Sequence, residues 1–432
     1  MGDYVNQKRN VPYFGVLVIV LFYFFATFVS ELVLSNFNNE FFWCISSNYF
    51  ESVNLYLPVH CDEGPYLQAS ESIDYFFSES NPYQKRPGYV LSIYLIRSII
   101  NFLTLGQLSN YIEFRVAMIL IQFVIIYLIG ISSAKFFKIN HLNFNNILIL
   151  ILVFSIPNIR WNTLMPSHGN ITLLLLLISL NRLSYKSLYS DYIFYLLMGL
   201  GALFHRSAIA YGLIILFLEI IKNKNQLFNR LSYFVLLLIP SLSYEGFFIF
   251  SKYKSFDWNK EIYGQFYWII DIFNKNYVAY HDSSCQQLNK FLMCNIDVTK
   301  SFVLYFLVGL FYLFTVIMFN LKLIESKQYF YLAITSFLIY IFWSLQGIYP
   351  NFRFINYSLG YFMFLSLIYL YQRIEDSIFF GVSILIYEFS ILYMEPYAIG
   401  YLKPNYITYI SILTFICSII KGELFTNRKV DK

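Results

Sequence analysis

Two adjacent carboxylates, Asp62 and Glu63, stand in a polar stretch between the first two hydrophobic segments of the chain. Lys85 and Arg86 close the same stretch, immediately before the second hydrophobic segment begins. A carboxylate can take the proton of a hydroxyl group, and a guanidinium can grip phosphate oxygens through two parallel hydrogen bonds. These residue types therefore predict a site that activates an acceptor hydroxyl, with Asp62 as the base, and that binds a phosphate group.

Each of these features also has a plain structural interpretation. An acidic pair in an external loop is what a solvated turn contains, and cations at the end of a membrane helix anchor it to lipid headgroups. The pair alone does not decide between the two interpretations. The decision depends on the surrounding membrane segments and on the residues that follow the pair.

The composition indicates an integral membrane protein. Of the 432 residues, 58% are hydrophobic and only 13% are charged, and the mean hydropathy is +0.56. Soluble domains carry roughly 25% charged residues, so most of this chain is expected to lie among membrane lipids. The net charge of +5 is small and spread over short loops, which favours a role in membrane orientation and predicts no nucleic-acid partner.

Apolar stretches recur along the whole chain, and a helix that crosses the hydrocarbon core needs about 20 residues. We predict an all-α fold, a single transmembrane domain over 1–432 with about 11 to 13 membrane helices. The segments are 12–35, 88–105, 112–134, 145–157, 167–181, 191–203, 204–221, 231–250, 301–321, 329–347, 354–371, 376–394 and 404–420. Among the charged residues in these segments, Glu245 and Glu388 have no evident partner in the sequence.

Basic residues in short loops predict the orientation, because such loops face the cytoplasm. They place 36–87 outside as a first external loop, which carries the acidic motif, and 251–300 as a second. Lys135 and Lys138 conflict with this scheme, since a crossing at 88–105 would put them outside. Two solutions stay open: either 88–105 does not span the membrane fully, or this loop departs from the rule.

The cysteines agree with the two external loops. Cys44 and Cys61 lie in the first loop, Cys285 and Cys294 lie in the second, and Cys417 stands alone in the last hydrophobic segment. One pair in each outer loop is typical of disulfides in an oxidising compartment. We therefore predict the disulfides Cys44–Cys61 and Cys285–Cys294.

One pattern in the first external loop resembles a known family. It consists of an acidic pair, then spaced aromatic and small residues, and finally an arginine–proline entry into the next segment. The residues are Asp62-Glu63-x-x-Tyr66-x-x-Ala69 and Arg86-Pro87-x-Tyr89-x-Leu91. The pattern resembles the first external loop of the GT-C glycosyltransferases, which include the aminoarabinose and protein mannosyl transferases. These polytopic enzymes use sugars linked to polyprenyl phosphate. The resemblance implies that Asp62 and Glu63 are catalytic or bind a divalent metal, Mg or Mn, and that Tyr66 belongs to the substrate site.

Two later stretches are similar to the same family. Met198–Arg206 resembles its glycine-rich helix that ends in a basic residue, and Tyr349–Phe354 resembles its arginine-aromatic entry into a late helix. The resemblance adds His205, Arg206 and Arg353 to Lys85 and Arg86 as candidates for binding the phosphate. His60 and Cys61, which precede the acidic pair, are not features of the family.

Two alternatives remain beside a GT-C transferase. Residues Phe204–Ala208 resemble a motif of the EpsG-type and O-antigen polymerases, which join lipid-linked repeat units. A flippase or transporter of lipid-linked sugars is the non-enzymatic alternative, although such proteins have repeat-related halves and no internal repeat is evident in this sequence.

The expected function is transfer of a sugar from an isoprenoid-phosphate donor to a cell-surface glycan or glycolipid. The expected place is the outer face of the bacterial inner membrane, in polysaccharide biosynthesis for the cell envelope.

Overall fold

The computed structural model describes a large part of the N-terminal 255 residues and a few residues beyond them. The described residues are 12–37, 45–50, 55–60, 63–78, 81–156, 159, 162–164, 169–184, 191–222, 227–255, 331–332, 334–339, 361, 364–365 and 368. Asp62, Arg353 and all five cysteines lie outside them, as do most residues of the hydrophobic segments after 300.

The described residues form helices, one short β-hairpin and their connecting turns. The elements are α1 (Tyr13–Phe37), β1 (Ile45–Phe50), β2 (Leu55–His60), α2 (Glu63–Ala69), α3 (Ile73–Phe76), a 3-10 helix (Pro82–Lys85), α4 (Pro87–Leu103), α5 (Asn110–Phe136), α6 (Phe144–Ser155), α7 (Gly169–Ser184), α8 (Asp191–Phe204), α9 (Ser207–Lys222) and α10 (Leu227–Phe250). Eight of these helices follow the apolar segments expected from the sequence to within a few residues. The hairpin was not expected, so an all-α description is too simple for the first external loop.

Two of the described helices are long and apolar enough to cross a membrane, Asn110–Phe136 and Arg230–Phe250. Shorter apolar helices pack around them, including Gly169–Leu183, Asp191–Phe204 and Ser207–Ile221. The long helix α5 is the spine of the described part. Exposed apolar side chains recur on it every fourth residue, at Val116, Leu120, Val124 and Leu128.

Helices α5 and α7 run in the same direction. The side-chain amide of Asn170 donates to the Gln122 carbonyl oxygen at 3.2 Å, and that of Asn181 donates to the backbone carbonyl of Ser132 at 2.8 Å. From the first contact to the second, the residue number increases along both helices, so the helices are parallel. The first residues of α7 therefore lie beside the middle of α5, and the first half of α5 projects beyond α7.

Helix α4 runs away from α7 and does not pass alongside it. The Gln122 amide donates to the Tyr89 hydroxyl at 3.1 Å, so α4 begins beside the middle of α5. The Asn101 amide donates to the Glu113 carboxylate at 2.8 Å, so α4 ends near the beginning of α5. Because Gln122 also holds Asn170 of α7, α4 and α7 start at the same level and extend in opposite directions.

We call the end of the molecule that carries residues 63–86 the outer end, and α2, α3, α4 and the first three turns of α5 the outer lobe. At 1.5 Å per residue, the residues of α5 before Gln122 reach about 18 Å beyond the start of α7. Arg97 fastens the lobe internally, because its guanidinium donates to the Ser70 hydroxyl at 2.9 Å and to the backbone carbonyls of Leu67 and Asn110.

Helices α8 and α10 approach each other closely at a glycine. A Cβ atom on Gly199 would lie 2.7 Å from the carbonyl oxygen of Leu236 and 3.0 Å from the ring of Pro240. Proline at 240 leaves the Leu236 carbonyl without its usual helical donor. The glycine lets α8 approach this freed carbonyl directly, which fixes the outer part of α10 relative to α8.

The opposite end of the bundle is joined by a charged cluster that links α7, α8, α9 and α10. Arg182 pairs with Asp191 and, at 3.1 Å, with Glu219. Arg230 pairs with the same glutamate. Hydroxyl groups of two tyrosines complete the carboxylate contacts, Tyr195 with Glu219 and Tyr233 with Asp191, each at 3.1 Å. Two arginines thus balance two carboxylates at the ends of four helices.

Candidate functional site

Three segments that are distant in sequence converge at the outer end of the bundle. Gly88, at the start of α4, lies against the ring of Phe204, the last residue of α8; a Cβ atom there would be 2.6 Å from that ring. The Tyr244 hydroxyl of α10 donates to the Gln84 carbonyl of the first loop at 3.0 Å. The end of the first loop, the α8–α9 junction and α10 therefore meet at one place.

Arg86 is held in this place by Tyr66, one of three packed tyrosines that we call the tyrosine cage. Its guanidinium donates to the hydroxyl of Tyr66 at 3.3 Å. The ring of Tyr66 is buried and packs against Tyr83 and Tyr89, with ring centroids 4.3 Å and 5.6 Å apart. Such contacts between aromatic edges and faces fix ring orientation. The predicted substrate residue Tyr66 thus orients the predicted phosphate residue Arg86.

His205 and Arg206 form the junction between α8 and α9, beside Arg86. The His205 ring is buried, and its Nδ1 atom lies 2.7 Å from the Ser207 hydroxyl oxygen. Arg206 is exposed. The charge of Arg86 acts on both His205 and Arg206. Residues from two separate sequence motifs are therefore neighbours, and Lys85 adjoins them as the last residue of the 3-10 helix.

Glu63 has a different setting from the one expected for a metal ligand or a catalytic partner. Its side chain is 1% exposed and forms an ion pair with Arg115 at 3.2 Å. Its second oxygen accepts a hydrogen bond from the Tyr111 hydroxyl at 2.7 Å, and Arg115 also donates to that hydroxyl at 3.1 Å. Both oxygens of Glu63 are thus engaged by α5, and the carboxylate fastens the start of α2 to the outer lobe.

The described residues contain no group of three or more His, Cys, Asp or Glu side chains that could hold a metal ion. Glu63 could serve a metal only by giving up Arg115 or Tyr111. Asp62, the preferred base, and Arg353, the third candidate arginine, lie outside the described residues. The same is true of Cys44, Cys61, Cys285 and Cys294.

Sequence reasoning missed Tyr111 and Arg115, and it gave Glu245 no role. Tyr111 and Arg115 are four residues apart and therefore share one face of α5, which was the signal available for them. Glu245 lies on α10 next to Tyr244, and its charge acts on Arg206. Arg206 lies almost 40 residues away in the chain, so no local pattern connected the two residues.

Three buried polar side chains, joined by hydrogen bonds, support the site. The amide of Gln122 joins the Tyr89 hydroxyl to the side chain of Asn170, and all three residues are fully buried. Buried polar groups stabilise a unique arrangement when they are hydrogen-bonded to each other. These side chains fix the start of α4, and with it Arg86 and the tyrosine cage, relative to α5 and α7.

No family model, curated protein or solved structure matches the chain.

Proposed function

We propose that this chain is an integral membrane glycosyltransferase that moves a sugar from an isoprenoid-phosphate donor to a cell-surface glycan or glycolipid. The observation that carries the proposal is the convergence of Arg86, His205 and Arg206 at one end of an apolar helix bundle. They lie beside the loop whose acidic motif resembles the GT-C enzymes. Cations at the end of membrane helices suit a phosphate that is attached to a lipid.

The direction of α4 supports a membrane topology in which the site faces outward. If α4 stays on the outer side, α1 crosses the membrane once and α5 crosses back. Lys135 and Lys138, at the far end of α5, then lie inside together with the other basic loops. Of the two solutions left open by the sequence, the geometry favours the one in which 88–105 does not span the membrane.

The lengths of the helices suit a substrate that stays in the bilayer. Helices α7, α8 and α9 contain 16, 14 and 16 residues, or about 21–24 Å at 1.5 Å per residue. The hydrocarbon core is about 30 Å thick. Arg86 and Arg206, at the outer ends of these helices, would therefore lie at or just below headgroup depth. A lipid-linked phosphate could reach them without leaving the membrane.

The proposed reaction assigns one task to each group. Asp62 takes the proton of the acceptor hydroxyl, whose oxygen forms the new bond to the anomeric carbon. The bond from that carbon to the phosphate oxygen breaks, and its electron pair leaves with the isoprenoid phosphate. Arg86 and Arg206 stabilise the charge that develops on this phosphate. Glu63 holds α2, and hence the acidic motif, against α5.

A glycan profile of a strain that lacks the protein separates this proposal from its two alternatives. Loss of a single decorating sugar from the cell surface supports a transferase. Collapse of a polymer to single repeat units would instead support an O-antigen or exopolysaccharide polymerase, which shares the lipid-linked donor. Accumulation of lipid-linked sugar on the inner leaflet would support a flippase, and either of these two results would overturn the proposal.

A further inference from the structure

We propose that Glu245 binds the hydroxyl groups of the acceptor sugar in this site, as a second carboxylate in addition to the proposed base Asp62. The inference rests on the proposed function and extends it to the acceptor. It starts from the position of Glu245 on α10, where the preceding residue, Tyr244, donates to the carbonyl of Gln84 at 3.0 Å. Gln84 is two residues before Arg86, so this turn of α10 lies at the basic residues, and the charge of Glu245 acts on one of them, Arg206.

Among the described carboxylates of the outer end, Glu245 differs because no contact with another described residue occupies its oxygens. Glu63 is occupied by Arg115 and Tyr111. Three further carboxylates of the outer lobe accept protein donors: Glu71 accepts from Asn110, Asp74 from Tyr253 and Glu113 from Asn101. Glu245 is exposed, and within the described ranges no hydrogen bond or ion pair occupies its carboxylate.

The negative charge of Glu245 indicates which of the two substrates, donor or acceptor, it can bind. Its charge acts on Arg206, which the proposed reaction assigns to the phosphate of the donor. A carboxylate would repel that phosphate, whereas it accepts hydrogen bonds from sugar hydroxyls, which are donors. The two side chains therefore suit opposite ends of the reaction, with Arg206 on the leaving phosphate and Glu245 on the neutral, hydroxyl-bearing acceptor.

The test measures two reactions of the purified full-length protein in lipid nanodiscs, with a short-chain isoprenoid-phosphate sugar as donor. One reaction is transfer to neutral methyl glycosides added as acceptors, and the other is slow donor hydrolysis without acceptor. We expect Glu245→Ala to lower kcat/KM for the methyl glycoside by about 10- to 150-fold, the range for a lost hydrogen bond to a charged group. Donor hydrolysis and the KM for the donor should stay within about twofold, since Arg86 and Arg206 remain.

Glu245→Asp and Glu71→Gln are the matched variants. Glu245→Asp should recover part of the acceptor kcat/KM, because the charge is kept on a shorter side chain. Glu71→Gln removes an exposed carboxylate of the outer lobe and should match the wild type in both reactions. An unchanged acceptor kcat/KM in Glu245→Ala overturns the inference. A rise in donor affinity without any acceptor effect also overturns it and makes Glu245 a counter-ion of Arg206. Absence of both transfer and hydrolysis in the wild type contradicts the proposed function itself.

Discussion

Glu63, which follows the proposed base Asp62 in the sequence, has a structural role in this fold. The ion pair with Arg115 and the hydrogen bond from Tyr111 use both oxygens of Glu63. A buried carboxylate with two such partners is suited to holding the loop in place. Adjacent acidic residues can therefore divide the structural task and the chemical task between them.

Exchanging each carboxylate for its amide should separate the two tasks. Asp62→Asn should abolish sugar transfer, because an amide cannot take the proton, and should leave the unfolding temperature unchanged. Glu63→Gln should retain measurable transfer but destabilise the protein by about 1–3 kcal/mol, since Arg115 loses its charged partner. Thermal unfolding in detergent, together with the transfer assay, checks both outcomes. Wild-type transfer by Asp62→Asn would contradict its assignment as the base.

A lysine exchange at Arg206 tests whether the guanidinium binds phosphate. Lysine keeps the charge but cannot make the two parallel hydrogen bonds, so Arg206→Lys should lower turnover by about 10- to 150-fold. The same loss is expected for Arg353→Lys. Lys254→Arg, a change of cation type outside the proposed site, serves as the control and should be neutral. Silent lysine exchanges at both arginines would indicate that they only anchor helix ends at the interface.

The sequence predicted which residue types matter at the outer end, but not how they pair. Arg86 was selected from one motif and His205 with Arg206 from another, and the structure brings the two motifs together. The partners of Glu63 could not be foreseen, because Tyr111 lies 48 residues further along the chain. Contacts at such separations depend on how whole helices pack, which short-range patterns do not record.

At the scale of elements, the sequence placed the helices well and left the course of one of them open. Hydrophobic runs gave α5 to within two residues at each end, and Ser109 caps its first turn by accepting from Ile112 N–H. The run 88–105 was as apolar as a membrane span, with exposed Leu95, Phe102 and Leu103 on α4. Its direction is set by contacts with Gln122 and Glu113, and composition cannot reveal those.

Labelling of the loop after α4 tests this course. Gln107→Cys should react from the outside with a membrane-impermeant maleimide in intact cells, because the proposed topology keeps α4 on the outer side. Lys138→Cys should react only after the membrane is permeabilised, and Lys252→Cys, at the outer end of α10, is the positive control. A background with Cys417→Ser removes the one native cysteine that has no predicted disulfide partner. Labelling of Lys138→Cys in intact cells would show that α4 crosses the membrane.

The β-hairpin makes the first disulfide prediction more specific. Its register pairs Ile45 with His60, the residues that adjoin Cys44 and Cys61 in sequence. An antiparallel ladder continued by one residue would bring such neighbours to within reach of a disulfide. Mass mapping of protein isolated without reductant should find Cys44–Cys61 and Cys285–Cys294 linked and Cys417 free. Free thiols at all four positions would contradict both the pairing and the external placement of the loops.

On the scale of the whole molecule, the described helices form an apolar bundle with a polar cluster at each end. The cluster of Arg182, Arg230, Asp191 and Glu219 joins four helices at one end with balanced charge. At the outer end, Glu63 pairs with Arg115 in the outer lobe, whereas Arg86 and Arg206 lie at the level where α4 and α9 begin. A pair of neutralised charges suits a structural joint, whereas neighbouring cations suit an anionic ligand.

The measurement that tests the account most directly is release of isoprenoid phosphate by the purified protein in nanodiscs that contain a short-chain isoprenoid-phosphate sugar and an acceptor glycan. The account predicts that the wild type releases isoprenoid phosphate and glycosylates the acceptor in equal amounts. It also predicts that Asp62→Asn does neither, and that Arg206→Lys does both at least about tenfold more slowly. A wild-type protein that releases no isoprenoid phosphate from any such donor, or an Asp62→Asn protein that works at the wild-type rate, would contradict it.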